Sequence, residues 1–311
     1  MQVVSYLKGI PGNNKNPEKP EVLRRFIEGV NAVGDQGVAH DGLYVPSDVA
    51  ILQGYVHEDS PGTPHLVLRK QVLVEQAKRN ARTIIVDSNL FLYLDKSNQK
   101  RFLRYSMDGV FPTTGNYFWD NPDPQRWEKI KRELGIVVKP WRTTGTNILI
   151  CLQRNGGWSM KGKDNQEWAI DMIKRIRQHS DRPIVVRGHP GDRRAGKYLN
   201  PTEKTYKFHG LPNVHMSDFR NRTLQMDLAS AYCTVVFNSS PAVASAIEGV
   251  PIFVDDPDDC QAKDVANTNI SNIEAPDVFD RTHWLQKLSM CHWNFTELSD
   301  GTAWRHMRKY V

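Results

Sequence analysis

Short apolar runs alternate with longer amphipathic stretches along most of this chain. QVVSYL, over 2–7, reads as a first strand, and GIPGNNKNPEKP after it as a loop. Residues 20–33 carry Val22, Leu23, Phe26, Ile27 and Val30, the spacing of an amphipathic helix. VAILQGYV (49–56) predicts a buried strand, 65–80 a helix, and TIIV (83–86) another strand, followed by the polar turn DSNLF. Residues 106–124 break the rhythm. Gly, Pro, Thr, Asn and aromatics dominate there, which predicts a long ordered loop of the kind that often carries function. A helix over 124–134 and a linker near residue 140 follow.

Beyond the linker the pattern gives a strand at 148–153, a helix at 165–179 and a strand at 183–186. VVFNSSPAVASAIEGVPIFVDD then spells strand, polar turn, helix and strand. Pro241 suits the first turn of that helix, and Gly249 its stop after Glu248. Helical segments around Trp284, Trp293 and Trp304 close the chain. Strands alternating with helices imply parallel βαβ units and an α/β fold. The expected architecture is two Rossmann-like domains facing a cleft, with ligands outside the carboxyl ends of the strands. The expected boundaries are 1–140, 141–290 and a C-terminal helix, 291–311, packing back on the first domain.

At 311 residues the chain is long enough for two cores. No apolar run approaches the roughly 20 residues of a membrane span, and the first residues lack a signal peptide's apolar core. A cytoplasmic protein with no membrane partner is expected. Cys151, Cys233, Cys260 and Cys291 form no CxxC pair and read as free thiols. Lys and Arg exceed Asp and Glu by 41 to 35, a net charge of +6 spread over both halves. That excess suits a polyanionic partner such as DNA. Its local clusters are Lys96/Lys100/Arg101/Arg104, which reads equally as a solvated face, and Arg187/Arg193/Arg194/Lys197.

Three turns in the second half each follow a strand. Gln153-Arg154-Asn155-Gly156-Gly157 pairs a cation with two glycines that let backbone approach a ligand, or is a plain βα turn. Arg187-Gly188-His189-Pro190 offers a guanidinium fork for phosphate and an imidazole donor. Asn238-Ser239-Ser240 places hydroxyls at a helix start, where unpaired N–H groups and the dipole favour anions. The alternative is an ordinary N-cap. Glu248 can accept from ribose hydroxyls or be a surface carboxylate. Asp255, Asp256, Asp258 and Asp259 resemble a metal site but read better as a polar turn, so no metal is expected. In the first half Asp35, His40, Asp41, His57, Glu58, Asp87 and Asp108 are candidate general bases. Asp87 and Asp108 are preferred for their places after a strand and at the start of the long loop. Phe111, Tyr117, Phe118 and Trp119 can stack on a sugar or a flipped base, or simply pack the loop.

Taken in order, RGHP, NSSPAVASAIEGVP and the two α/β halves resemble glycosyltransferases of the GT-B architecture, nearest in kind to capsule-polysaccharide-type transferases. DGVFPTTGNYFWD is similar to a turn of those enzymes, and WNFTELSDGTAWRHM to the ends of phage transferases that glycosylate modified DNA bases. The resemblance is good over 145–260 and thin in the first half. It implies a nucleotide-sugar co-substrate, UDP-glucose by expectation, and no cofactor. Arg187, His189, Ser239, Ser240 and Glu248 match its donor-binding positions, to which the turns add Gln153, Arg154 and Asn238. His57, Tyr117 and Trp119 are the acceptor-side candidates. The expected reaction is sugar transfer by a monomer to 5-hydroxymethylcytosine in double-stranded phage DNA. Transfer to a surface or capsular glycan, and a non-catalytic nucleotide- or DNA-binding module, are the alternatives.

Overall fold

The computed structural model describes residues 1–12, 15–57, 60–91, 102–142, 144–154, 158–192 and 208–311. In chain order its elements are β1 (Gln2–Tyr6), α1 (Glu18–Ala32), β2 (Gln36–His40), β3 (Val49–Gln53), α2 (Pro64–Lys78), β4 (Arg82–Asp87), β5 (Phe102–Met107), α3 (Pro124–Leu134), β6 (Asn147–Cys151), α4 (Asn165–Arg177) and β7 (Ile184–Arg187). There follow β8 (Val214–Met216), α5 (Leu224–Leu228), β9 (Ala231–Val236), α6 (Pro241–Ile247), β10 (Ile252–Val254), α7 (Thr282–Met290), β11 (His292–Asn294), α8 (Phe295–Ser299) and α9 (Thr302–Met307). Two compact units result. Unit 1 is Met1–Ile130 with Leu285–Val311, and unit 2 is Lys131–Trp284.

Unit 1 holds a six-stranded sheet in the order β11-β5-β4-β3-β1-β2. β2, β1, β3 and β4 run parallel, as alternating strands and helices require. β5 then returns antiparallel against β4, and β11 antiparallel against β5. The apolar stripe of α1, from Val22 to Val30, packs the core with Val3, Val49, Ile51 and Ile84. The C-terminal segment completes that core through Trp293, Leu298 and Trp304. Where the sequence predicts a helix around Trp293, the chain lays down the edge strand β11 between α7 and α8. β5 is a fully buried strand inside the stretch read as a charge cluster and loop start. Its antiparallel course has a further consequence. Residues 108–116 emerge at the amino-terminal edge of the parallel strands, where Met107 bridges back to Asn116. Asp108, favoured as a base for its place at the start of this loop, is carried by that reversal away from the carboxyl ends of the strands.

Unit 2 is a five-stranded sheet, β10-β9-β6-β7-β8, with every neighbouring pair parallel. β6, β7 and β9 present Ile148, Ile150, Ile184, Val186, Cys233 and Val235 to Trp168, Met172, Ile173 and Ile176 of α4. That layer is the continuous apolar core expected of parallel strands buried on both faces. The chain proceeds outward from β6 to β8, then crosses to the other side of β6 to form β9 and β10. The strand order reverses between β6 and β9. In an open parallel sheet, ligands bind outside the carboxyl ends at such a reversal. In unit 1 the corresponding reversal lies between β1 and β3.

Candidate functional site

At the unit 2 reversal, β6 runs out into Gln153 and Arg154, and β9 into Asn238, Ser239 and Ser240. Ser159 ties the two ends together. Gln153 Nε2 donates to its hydroxyl at 3.0 Å, and Asn238 Nδ2 to its carbonyl at 3.3 Å. Asn165, at the start of α4, donates to the Gln153 carbonyl. Asn238 also donates to Asp256 at 2.9 Å, and Lys161 bridges Asp256 and Asp259 at 2.8 Å each. Asp255 is held by Trp168 Nε1 and Arg175. The aspartates after β10 are thus a cross-braced polar turn. Gln153 Oε1 and Ser239 Oγ of this frame are buried and make no hydrogen bond among the described residues. Buried polar atoms are nearly always paired, so an unpaired donor–acceptor set at a ligand-binding edge marks where a ligand or water completes the bonding.

His189 stands two residues beyond β7. The Gly191 N–H donates to its Nδ1 at 3.0 Å. A backbone N–H can only donate, so the ring proton sits on Nε2. Burial, and then the neighbouring Arg154 cation, hold this imidazole below its ordinary value. It is therefore a neutral Nε2–H donor near pH 7. Gly191 separates it from Arg154. A Cβ there would lie 3.1 Å from both Arg154 Nη2 and His189 Cε1. The structure brings Arg154 and His189 together as a cation and a neutral donor.

Arg187 is differently employed. Its guanidinium is buried against Asp227 at 2.5 Å and donates to the carbonyls of Arg222 and Thr223. It ties β7 to α5. Glu248 caps the far end of α6 and pairs with Lys139. Some eight residues at about 1.5 Å each separate it from Ser240, roughly 12 Å. The structure does not bring Glu248 to Ser239 and Ser240. Asn155, Gly156, Gly157, Glu58, Lys96, Lys100, Arg101, Arg193, Arg194 and Lys197 lie outside the described residues.

In unit 1, β4 separates the two favoured aspartates. Asp87 ends β4 at the carboxyl edge, accepting from the Ser88 N–H at 2.7 Å and ion-pairing with the buried Arg104. Asp108 is level with Thr83 at the opposite edge, four residues or about 13 Å away. Its carboxylate accepts from the Thr83 N–H at 2.8 Å and pairs with Arg82 at 3.0 Å. Trp119 stacks on Tyr117 with 4.8 Å between ring centres, and half-exposed Trp119 lines a 460 Å³ pocket with Asp108, Thr113, Thr114, Asn116 and Tyr310. Tyr117 itself is fully buried, its hydroxyl donating to the Val110 carbonyl. His57 follows β3, its N–H donating to Ser60 Oγ at 2.9 Å. Asp35, another candidate base, is bound by Trp304 Nε1 at 2.8 Å and by Arg308 at 2.9 Å.

Arg69 was not among the sequence candidates. It sits at the unit 1 reversal, with Nε donating to the Gly9 carbonyl at 2.6 Å. The signal was present in α2, where Leu68, Arg69, Val72 and Gln76 form the buried stripe and Arg69 is a cation at a core position.

Two parallel-rich α/β units, each with a strand-order reversal, define a GT-B-type fold. Solved structures share it, among them two sugar transferases. The beta Kdo 2,4 transferase of Thermosulfurimonas dismutans KpsC superposes with a TM-score of 0.51 at 11% identity, over 89% of this chain and 90% of that one. The beta Kdo 2,7 transferase of the same organism's KpsC gives a TM-score of 0.53 at 11% identity, over 97% and 99%. At such identity the likeness is one of fold. No protein-family profile and no curated protein sequence matches this chain.

Proposed function

We propose that the protein is a glycosyltransferase drawing on a nucleotide-sugar donor held at the carboxyl edge of unit 2. The observation that carries this reading is the unbonded pair Gln153 Oε1 and Ser239 Oγ at the β6/β9 reversal, beside the Arg154 cation and the neutral His189 donor. A nucleoside and its phosphate offer the groups this edge lacks: donors for Gln153 Oε1, and oxyanions for Ser239 Oγ, His189 Nε2–H and Arg154. The acceptor hydroxyl oxygen bonds to the anomeric carbon, and the carbon–oxygen bond to phosphate breaks with its electrons on the nucleotide. Arg154 and His189 stabilise the charge that grows there. Asp87, at the carboxyl edge of unit 1, is the general base we assign to the hydroxyl proton. Asp108 is set aside for its place at the opposite edge.

Two acceptors are distinguished by different observations. The resemblance of the C-terminal residues and the net charge of +6 favour a hydroxymethylated pyrimidine of phage DNA, with UDP-glucose as donor. The fold shared with two Kdo transferases favours a surface or capsular glycan. The test incubates the full chain with a panel of nucleotide sugars, including UDP-glucose, and either hydroxymethylcytosine duplex DNA or oligosaccharide acceptors. Digestion and mass spectrometry then read added sugar. Transfer to one acceptor class decides between the two. Absence of transfer from every donor to both, with donor binding also absent, sinks the proposal.

A further inference from the structure

Four arginines among the described residues are buried: Arg69, Arg104, Arg126 and Arg187. Three have a carboxylate in direct contact. Arg104 pairs with Asp87, Arg126 takes Glu297 through two nitrogens, and Arg187 pairs with Asp227. Arg69 is 7% exposed and has no ion pair among the described residues. Its single hydrogen bond there is Nε to the Gly9 carbonyl, which leaves both terminal nitrogens of the fork unused. A guanidinium cannot shed its charge near neutrality, and an unpaired buried charge is strongly disfavoured. Burial pushes Arg69 down to about 10, with Asp87 opposing from a distance. That carboxylate is already engaged by Arg104, so two buried cations share one anion.

The backbone around Arg69 is shaped for it. Gly54, directly after β3, has φ +90, and a Cβ there would lie 2.8 Å from Arg69 Nη1. Glycine lets the fork lie against the end of the strand. This point is the β1/β3 reversal, where an open parallel sheet binds its ligands.

We infer that the carboxyl edge of the β1–β3 pair is an oxyanion site, in which the Arg69 fork receives a phosphate or carboxylate group of a bound ligand. On the proposed function, in which Asp87 of unit 1 takes the acceptor's hydroxyl proton, the acceptor itself bears that group.

The test is thermal unfolding of the full chain in sodium phosphate or sodium acetate, against sodium chloride at the same ionic strength. Wild type is expected to gain stability saturably with one or both anions. Arg69→Met removes the charge at similar length, and its apparent affinity for the anion is expected to fall at least about tenfold, the scale of a charged hydrogen bond. A stronger response to phosphate assigns a phosphoryl ligand, and a stronger response to acetate a carboxylate. Equal anion responses in wild type and Arg69→Met overturn the site. Should that variant not fold, the Arg69 Nε–H resonance of arginine-labelled wild type decides: a resonance unmoved by either anion overturns the inference. The site and the transferase reading fail separately. An Arg69-dependent anion response without sugar transfer keeps the site and loses the transferase. Transfer to an uncharged acceptor, unaffected by Arg69→Met, keeps the transferase and loses the anionic acceptor.

Discussion

Asp227 shows what a single carboxylate contributes here, because Arg187, Ser217 and Arg222 all donate to it. Asp227→Ala would leave the Arg187 cation buried without its partner. A stability loss of about 3–5 kcal/mol is expected, read from urea denaturation. In the sequence, Arg187 of RGHP reads as a phosphate ligand. Its partner lies 40 residues downstream, and no local pattern announces such a tertiary pair. The His189 tautomer is set locally, by Gly191 two residues away. Asp87 and Asp108 were indistinguishable as letters, and the course of β5 separates them. Asp87→Asn is expected to abolish transfer while donor affinity is retained. Asp108→Ala is expected to cost about 1–2 kcal/mol of stability, by freeing the Thr83 N–H, without lowering kcat. Equal kinetic losses in both would refute the choice of base.

His292 gives a pH dependence at the same scale. The Leu90 N–H donates to its Nε2 at 3.1 Å, and its Nδ1 meets the Leu288 carbonyl at 2.7 Å, which fixes a neutral ring. Burial, with Arg104 and Arg126 adding to it, pushes the imidazole down to about 3. In the unfolded chain the ring takes up a proton below its ordinary value of about 6.5. The folded ring does not until about pH 3, so stability falls as pH drops through that interval. His292→Gln, which keeps an acceptor and a donor but does not titrate, is expected to flatten the decline between pH 6.5 and 5. Calorimetry at several pH values checks this, and an unchanged slope would remove His292 as a contributor.

Among the elements, α1 meets α8 at backbone distance. A Cβ at Gly29 would sit 1.8 Å from the Leu298 carbonyl and 3.0 Å from Gly301. No rotamer change relieves a clash with backbone, so Gly29→Ala is expected to cost more than the usual 1–3 kcal/mol of overpacking. A melting temperature within a degree or two of wild type would contradict this contact. The helices α1, α3 and α4 were legible because their apolar stripes recur at helical spacing, and β3, β4 and β6 because they are continuous apolar runs. β2 was not, being a half-exposed edge strand, QGVAH, with little apolar surface to give it away. β11 is three residues long and takes its identity from pairing with Phe102, Leu103 and Arg104, some 190 positions earlier. The unit 2 reversal was the most legible part of the site, since NSSP announces both the end of β9 and the start of α6.

For the molecule as a whole, the net charge of +6 makes the two acceptor readings separable by salt. If duplex DNA is bound, log affinity should fall linearly with log salt, with a slope near −0.9 per phosphate contacted. Fluorescence anisotropy from about 50 to 200 mM salt measures it, and a flat dependence would remove DNA as acceptor. The strand β11 carries a different kind of consequence. Unit 1 is interrupted in sequence by the whole of unit 2, so on the ribosome the middle of the chain can finish folding before the beginning does. At roughly 5–20 residues per second, the nascent β5 waits on the order of ten seconds or more with one edge unpaired. Until residues 292–294 emerge, that edge is open to strands of neighbouring chains, and the yield of native protein becomes a contest between translation speed and self-association.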